Sequence, residues 1–323
     1  MDEVLKQQWH PACKVSELTT EKPIGISIMG LDLVVWRDHK GVHAWDDICV
    51  HRGMRLSLGK VCENKFLECP YHGWLYEGSG QCVKIPAHSE QKIPNKARAK
   101  AVYRAKEHAG LVWVNLSENP KEPPTIAEHG DPSFRTVTSG PFRLHGSGPR
   151  AIENSLDVAH FPFVHGGFLG SLEHPKIDDY EVERTEDAVY ARNVRVYQPD
   201  PDGTGVGQDI SYDYGVIAPL TMYFVKQVGP ENRLSIMFTI RPESETVSVG
   251  YFSTMMNYDH DTPPEEIDRF HSFLLEQDRI IVENQRPELL PMDLAAELHL
   301  RSDAMSIAYR QYLKAKGLSF GTA

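Results

Sequence analysis

The sequence is short of cysteine, lacks any long apolar run and carries no excess of basic charge, and each shortage excludes something. Its five cysteines are Cys13, Cys49, Cys62, Cys69 and Cys82. They are too few and too scattered for a disulfide framework, and their odd number points to thiols kept reduced and free to act as ligands. No apolar stretch approaches the roughly 18 residues a membrane-spanning helix needs. The amino terminus, MDEVLKQQWH, lacks the basic-then-apolar pattern of a secretory signal, so a cytoplasmic location is expected. A formal charge of −11 argues against a nucleic-acid partner, which demands a clustered basic surface. It leaves the charge of a small substrate open, because a local basic pocket can sit inside an acidic protein. Internal repeats and low-complexity tracts are also missing.

What is there is the composition of a globular protein, 41% hydrophobic and 24% charged over 323 residues, long enough for two domains. The first third reads as short strands. LDLVVWRD and VHAWDD are β-rich runs joined by His39-Lys40-Gly41, GLVWVNL at 110–116 is another, and Gly78-Ser79-Gly80 marks a turn. An all-β domain over residues 1–120 is the natural expectation. The stretch SENPKEPPTIAEHGDP, with Pro120, Pro123 and Pro124, marks a boundary, and a second domain is expected over 121–323. There the stretch near 150–165 is predicted helical. Leu234, Ile236, Phe238 and Ile240 alternate with Ser235, Met237, Thr239 and Arg241, the pattern of a half-buried antiparallel strand, and Val247, Val249 and Tyr251 continue it after a Pro-Glu-Ser-Glu turn. A helix is predicted from Thr262 to about Gln285, with Thr262 as N-cap, Pro263 in the first turn, Glu265 and Glu266 complementing the dipole, and Pro287 ending it. The second domain is therefore expected to be α+β.

The strongest chemical signal is I-C49-V-H51-R-G-M together with L-E-C69-P-Y-H72-G-W-L. Each stretch offers one thiolate and one imidazole at a tight loop containing Gly53 or Gly73. Such a pair of loops can hold one tetrahedral zinc or a two-iron cluster with thiolates on one iron and imidazoles on the other. The paired form, with Pro70 in C-P-Y-H-G-W, resembles the Rieske [2Fe–2S] motif, which implies Cys49, His51, Cys69 and His72 as cluster ligands. Respiratory Rieske proteins carry a further cysteine in each loop. Met54 and Tyr71 stand in those places here, so the resemblance is to the domains of oxygenases and their ferredoxins. Cys62 and Cys82 read as packed thiols.

A second constellation is E153-N-S-L-D157-V-A-H160-F-P-F-V-H165. Asp157 and His160, three apart, are expected to share a helical face, and Pro162 to end or kink the helix so that His165 swings round. Two imidazoles and a carboxylate are the donor set of non-haem Fe(II) sites that leave positions open for oxygen. The residues alone leave Asp157 as a possible third ligand. The motif resembles that of Rieske oxygenases, which implies that His160 and His165 bind iron, that Asp157 bridges for incoming electrons, and that a distant carboxylate completes the set. On a helical wheel, Ile267, Phe270, Leu274, Ile281 and Gln285 form a stripe with Asp278 at its centre and Glu276 and Glu283 facing away. A carboxylate on an apolar face needs a partner. A metal would serve, and an ion pair with Arg279 is the plain alternative. His271, on the same face, reads as a satisfied core histidine.

Over nearly its whole length the chain is similar to the α-subunit of Rieske oxygenases. The resemblance implies an all-β Rieske domain followed by a helix-grip α+β catalytic domain, and a head-to-tail homotrimer. It also implies electrons from a separate reductase using NADH and flavin, with or without a ferredoxin between, and O2-dependent hydroxylation or oxidative demethylation of a small organic substrate. I-P-A-H at 85–88, the 154–165 stretch and A-Y-R-Q-Y-L at 308–313 resemble short-chain oxygenases of saxitoxin-type alkaloids. W-H-P-A-C and I-P-N-K-A-R resemble purine-alkaloid N-demethylases. Monooxygenation therefore leads over cis-dihydroxylation of arenes. Two readings of other classes are an electron carrier with an added domain and a colourless zinc protein. Sheet residues around Tyr212–Phe224 and Met237–Met255 are expected to line the substrate pocket.

Overall fold

The computed structural model describes residues 2–201 and 203–323. The chain divides into two units, Lys6–Pro123, and Asp2–Leu5 together with Pro124–Ala323. Among the described residues no helix is long and apolar enough to cross a membrane.

After one helical turn, α1 (Glu3–Lys6), the first unit is built from ten short strands: β1 (Trp9–Lys14), β2 (Ile24–Ile28), β3 (Leu31–Asp38), β4 (Gly41–Asp46), β5 (Lys60–Cys62), β6 (Phe66–Glu68), β7 (Leu75–Tyr76), β8 (Cys82–Lys84), β9 (Val102–His108) and β10 (Leu111–Asn115). They form a six-stranded sheet, ordered β1-β10-β9-β4-β3-β2, and a four-stranded sheet, β5-β6-β7-β8. Every residue of β10 is buried, as are Leu33–Trp36 of β3, which is why these stretches read as continuous apolar runs and not as alternations. Trp36, Trp45, Leu56, Leu67 and Tyr76 form a core with Cys49 and Cys69 at its edge.

The second unit is a seven-stranded antiparallel sheet with helices against it. Its strands are β11 (Arg135–Leu144), β12 (Glu181–Arg184), β13 (Val189–Gln198), β14 (Gln208–Ala218), β15 (Thr221–Gln227), β16 (Arg233–Ser244) and β17 (Val247–Met256), ordered β11-β17-β16-β15-β14-β13-β12. The helices are α2 (Gly148–Leu156), α3 (Phe161–Val164), α4 (Pro264–Val282) and α5 (Ala304–Lys316). The all-β and α+β expectations hold, and several local ones need correction.

The 150–165 stretch is two helices. Ser147 caps α2, its hydroxyl accepting from the Arg150 N–H, and the helix stops at Asp157, whose backbone is extended (φ −85, ψ 130). Asp157 and His160 thus meet across a turn and not along one helical face. Pro162 opens α3 instead of ending a helix, the position where a missing N–H costs nothing. The late helix begins one residue later than expected, with Pro263 as N-cap in extended conformation (ψ 137), because the residue before Pro264 is held out of the helical region. It stops at Val282, before Pro287 is reached, with Glu283 as its C-cap.

Strand β16 is buried on both faces, not one: Met237, Thr239 and Arg241 are as inaccessible as Ile236, Phe238 and Ile240. It lies inside the sheet, where the Thr221 and Thr239 hydroxyls meet at 2.9 Å and Arg241 Nη2 pairs with Glu243 at 3.1 Å. It also runs through Pro242–Ser244, so only Glu245 of the Pro-Glu-Ser-Glu stretch lies in the turn.

Helix α5 is anchored to α2 by a buried bidentate ion pair, Arg310 Nε to Glu153 Oε1 at 2.6 Å and Arg310 Nη2 to Glu153 Oε2 at 2.7 Å. Arg150 and Arg310 both also hold Glu297. This network fixes the helix that delivers Asn154 and Asp157. Helix α4 is pinned to β11 through Asp268 Oδ1, which accepts from Gly140 N at 3.1 Å, and through His271 Nδ1 and Ser139 Oγ at 2.9 Å.

Candidate metal centres

The two Cys-His loops of the first unit have the same backbone design. Cys49 N donates to Met54 O at 2.8 Å and Gly53 N to Cys49 O at 2.9 Å; Cys69 N donates to Trp74 O at 2.9 Å and Gly73 N to Cys69 O at 3.0 Å. Both turns close through a left-handed residue, Gly53 at φ +70 and Gly73 at φ +68, where a side chain would be strained. The cysteines are buried and lie together in one core cluster. The histidines are exposed, their rings 4.6 Å apart at the centroids, and His51 stacks on Trp74 at 4.6 Å.

Burial raises the Cys69 thiol and Cys49 raises it further, against the opposing pull of the Tyr71 and His72 N–H groups. Two adjacent buried thiolates need a positive centre beside them. Tyr76 OH lies 3.1 Å from Cys49 Sγ, and burial together with that cysteine keeps the phenol protonated, hence a donor. An inner thiol pair and an outer imidazole pair suit a two-metal cluster with unlike ends. Cys82 is buried in the core, while Cys62 is partly exposed and donates to Glu68 Oε2 at 3.0 Å.

In the second unit, His160 Nε2 and His165 Nε2 face the same oxygen, Asp278 Oδ1, at 3.4 and 3.1 Å. The three ligand-type atoms lie within 4.8 Å of one another. Behind them, His160 Nδ1 faces Asp157 Oδ2 at 3.3 Å and His165 Nδ1 faces Gln277 Oε1 at 2.7 Å. Asn154 Nδ2 donates to Asp278 Oδ1 at 3.0 Å. Burial alone would raise the Asp278 carboxyl, but hydrogen bonds and charge from both histidines outweigh it and hold it well below the usual range. Burial likewise opposes protonation of His160, and the hydrogen bonds and charges of Asp157 and Asp278 reverse this, lifting it to about 9. Three basic atoms competing for protons in one buried spot is the arrangement a divalent cation relieves.

Arg279 pairs with Glu276 and Glu283, leaving Asp278 to the histidines. The buried stripe of α4 is Ile267, His271, Leu275 and Val282, while Phe270 and Ile281 are exposed, so the buried face is rotated slightly from the stripe expected around Asp278.

Comparison with known families decides what these loops and this triad belong to. Residues 8–99 match the Rieske [2Fe-2S] domain, and residues 146–317 match the vanillate O-demethylase oxygenase C-terminal domain. The chain belongs to the Rieske oxygenases. Methylxanthine N1-demethylase NdmA of Pseudomonas putida is 28% identical over 322 residues, covering 97% of this chain and 89% of that protein. Methylxanthine N3-demethylase NdmB of the same organism is 25% identical over 331 residues, covering 98% and 90%. The solved structure of NdmA from Pseudomonas putida CBB5 superposes with a TM-score of 0.82 at 26% identity, covering 97% of this chain and 90% of that one. The protein is accordingly an iron-dependent oxygenase of the monooxygenase and demethylase kind.

The oxygenase has a cavity of about 510 Å³ bounded by the triad, the sheet and α4. Tyr212, Tyr214 and Phe224 line it together with Ile236, Phe238 and Phe252. The residues expected here from sequence line it only in alternation: Met237 and Met255 point to the other face of the sheet, since successive side chains of a strand alternate. His271 lines it too, buried, with its ring 4.8 Å from Phe252 and its pKa pushed down to about 4 by burial despite Asp268. Beyond filling core space, it offers a neutral imidazole to the cavity.

Sequence reasoning passed over Asn154, Gln277 and Tyr76. Asn154 stood inside the quoted motif. Tyr76 and Gln277 carry no signal until the partners each reaches, at 27 and 112 residues' separation, are brought beside them.

Proposed function

We propose that the protein oxidatively demethylates a small N-methylated heterocycle, with electrons from a separate NADH-dependent flavin reductase. In this reading residues 1–120 form the cluster domain, Cys49, His51, Cys69 and His72 hold the [2Fe–2S] cluster, and residues 121–323 form the catalytic domain, where His160, His165 and Asp278 hold the iron. When bound, the cluster supplies single electrons and the iron supplies oxygen activation.

The observation that carries the reading is the convergence of His160 Nε2, His165 Nε2 and an Asp278 oxygen on one side of an apolar cavity of substrate size. Asp157 acts as the bridge: Oδ1 is fixed by the Ala159 N–H at 2.8 Å, Oδ2 faces His160, and about a third of its side chain, 32%, reaches solvent. It can therefore accept a hydrogen bond from a donor outside its own helix pair, as a head-to-tail homotrimer would provide. The aromatic walls orient a flat substrate and exclude water, and His271 can hydrogen-bond a ring heteroatom without introducing charge. The preference for N-demethylation rests on NdmA and NdmB, which share nearly the whole chain. A cytoplasmic setting, where NADH is supplied, suits this chemistry.

The test is turnover of N-methyl heterocycles by the purified chain with a reductase and NADH. The overall reaction consumes one O2 and one NADH, releases formaldehyde and leaves N–H in place of N–CH3, with the second oxygen leaving as water. Formaldehyde and demethylated product in equal amounts support the reading; a ring diol without formaldehyde overturns it.

A further inference from the structure

The imidazole of His165 is gripped at both edges by consecutive residues of one helix. Asp278 Oδ1 lies 3.1 Å from Nε2 and Gln277 Oε1 lies 2.7 Å from Nδ1. Successive residues of an α-helix point about 100° apart, and here two of them reach the opposite nitrogens of one ring. The backbone under the ring is also fixed: His165 N donates to Phe161 O, and Phe168 N and Leu169 N both donate to His165 O, each at 3.0 Å. With the main chain pinned, the two side-chain contacts set the angle of the ring.

The other histidine is backed differently. His160 Nδ1 faces a carboxylate, Asp157, and that carboxylate is partly exposed. His165 is 2% exposed and is backed by an amide. A neutral imidazole carries one N–H, and the acceptor placed at one nitrogen decides which nitrogen keeps a lone pair. A carboxylate acceptor makes a stronger, charge-assisted bond and adds a negative charge; an amide oxygen selects the tautomer without doing so. Asp278 and Asp157 already provide two negative charges around one site, the number that matches a divalent ion.

We propose that Gln277 is a positioning residue for the mononuclear iron. Its amide oxygen accepts the Nδ1 proton of His165, leaves the Nε2 lone pair facing the point shared with His160 and Asp278 where the metal would sit, and places no charge behind the inner histidine, while the outer histidine alone is backed by a carboxylate. Because Gln277 and Asp278 are adjacent in α4, ligand and orienting group move as one body. The inference rests on the reading of His160, His165 and Asp278 as the ligand set, and the test separates the two.

The full-length protein, with its cluster oxidised and its mononuclear iron removed, is titrated anaerobically with cobalt(II). Affinity is read by calorimetry and the ligand field by high-spin cobalt EPR, which the EPR-silent oxidised cluster leaves clear. The unaltered protein is expected to bind one cobalt per chain. Gln277→Leu, which removes the acceptor at similar size, is expected to weaken binding about 10- to 100-fold and to broaden the cobalt signal. Gln277→Glu, which keeps an acceptor, is expected to bind at least as tightly as the unaltered protein with a shifted signal. Visible circular dichroism of the cluster and the melting temperature report that each variant is folded. Unchanged affinity and spectrum in Gln277→Leu overturn the proposal, as does equal weakening in Gln277→Glu. Failure of the unaltered protein to bind cobalt overturns the ligand set itself.

Discussion

Asn154 on α2 donates through Nδ2 to Asp278 Oδ1 on α4 at 3.0 Å, the same oxygen that faces both histidine Nε2 atoms. One hydrogen bond therefore ties the helix preceding the double-histidine segment to the helix carrying the distant carboxylate, and aims that carboxylate at the point where the imidazoles meet.

If Asp278 is the third ligand, Asp278→Ala loses the mononuclear iron and spares the cluster. Iron falls by one per chain while acid-labile sulfide stays constant. Retention of all iron in that variant moves the third ligand elsewhere. Asn154→Leu is expected to weaken iron retention by about 10-fold or more, in the range for groups that orient a ligand. Equilibrium dialysis against Fe(II) measures it.

Asp157 stands between His160 and solvent. With both metal sites filled by excess Fe(II), Asp157→Ala is expected to lower multiple turnover by about 10- to 100-fold, because it removes the link for incoming electrons. Iron analysis beside steady-state oxygen consumption checks this. Normal turnover in a fully metallated variant removes the bridging role.

Tyr76 OH is 3.1 Å from Cys49 Sγ. A donor to a cluster thiolate stabilises the reduced, more negative state, so Tyr76→Phe is expected to lower the cluster potential with the cluster retained. Redox titration followed by EPR measures it, and an unchanged potential contradicts a donor role for the phenol.

His271 is held neutral in the fold, its pKa pushed down to about 4, below the ordinary histidine value near 6.5. Between those two pH values the unfolded chain binds a proton here and the folded chain does not. Stability from this group is therefore lost as pH falls through that window, on the order of 3 kcal/mol in full. His271→Gln is expected to flatten the corresponding part of a denaturant-unfolding series between about pH 6.5 and 4. An identical pH slope in the variant contradicts a neutral buried histidine.

The loops around Cys49 and Cys69 were legible because ligand-type residues sit close together in sequence and their chemistry is restrictive. The same holds for the 157–165 segment as a pattern, although its break into α2 and α3 was not. Helical periodicity cannot register that the backbone turns extended at Asp157. Asp278 was found from the cost of placing a carboxylate on an apolar face, even though the stripe drawn around it included the exposed Phe270 and Ile281. The alternation in β16 was read as exposure, whereas its polar side chains lie buried in a sheet covered on both sides, Thr239 bonded there to Thr221. Gln277 was out of reach because its meaning lies in a contact across more than a hundred residues, and Asn154, although inside the motif, shows its role only through the Asp278 it meets at similar separation.

The central claim is that one chain carries both a Rieske cluster and a mononuclear iron. The most direct measurement is iron and acid-labile sulfide content of anaerobically purified protein, with EPR after dithionite reduction. About three irons and about two sulfides per chain with a Rieske-type signal are expected. Zinc without sulfide, or two irons matched by two sulfides in protein that takes up no further Fe(II), contradicts it.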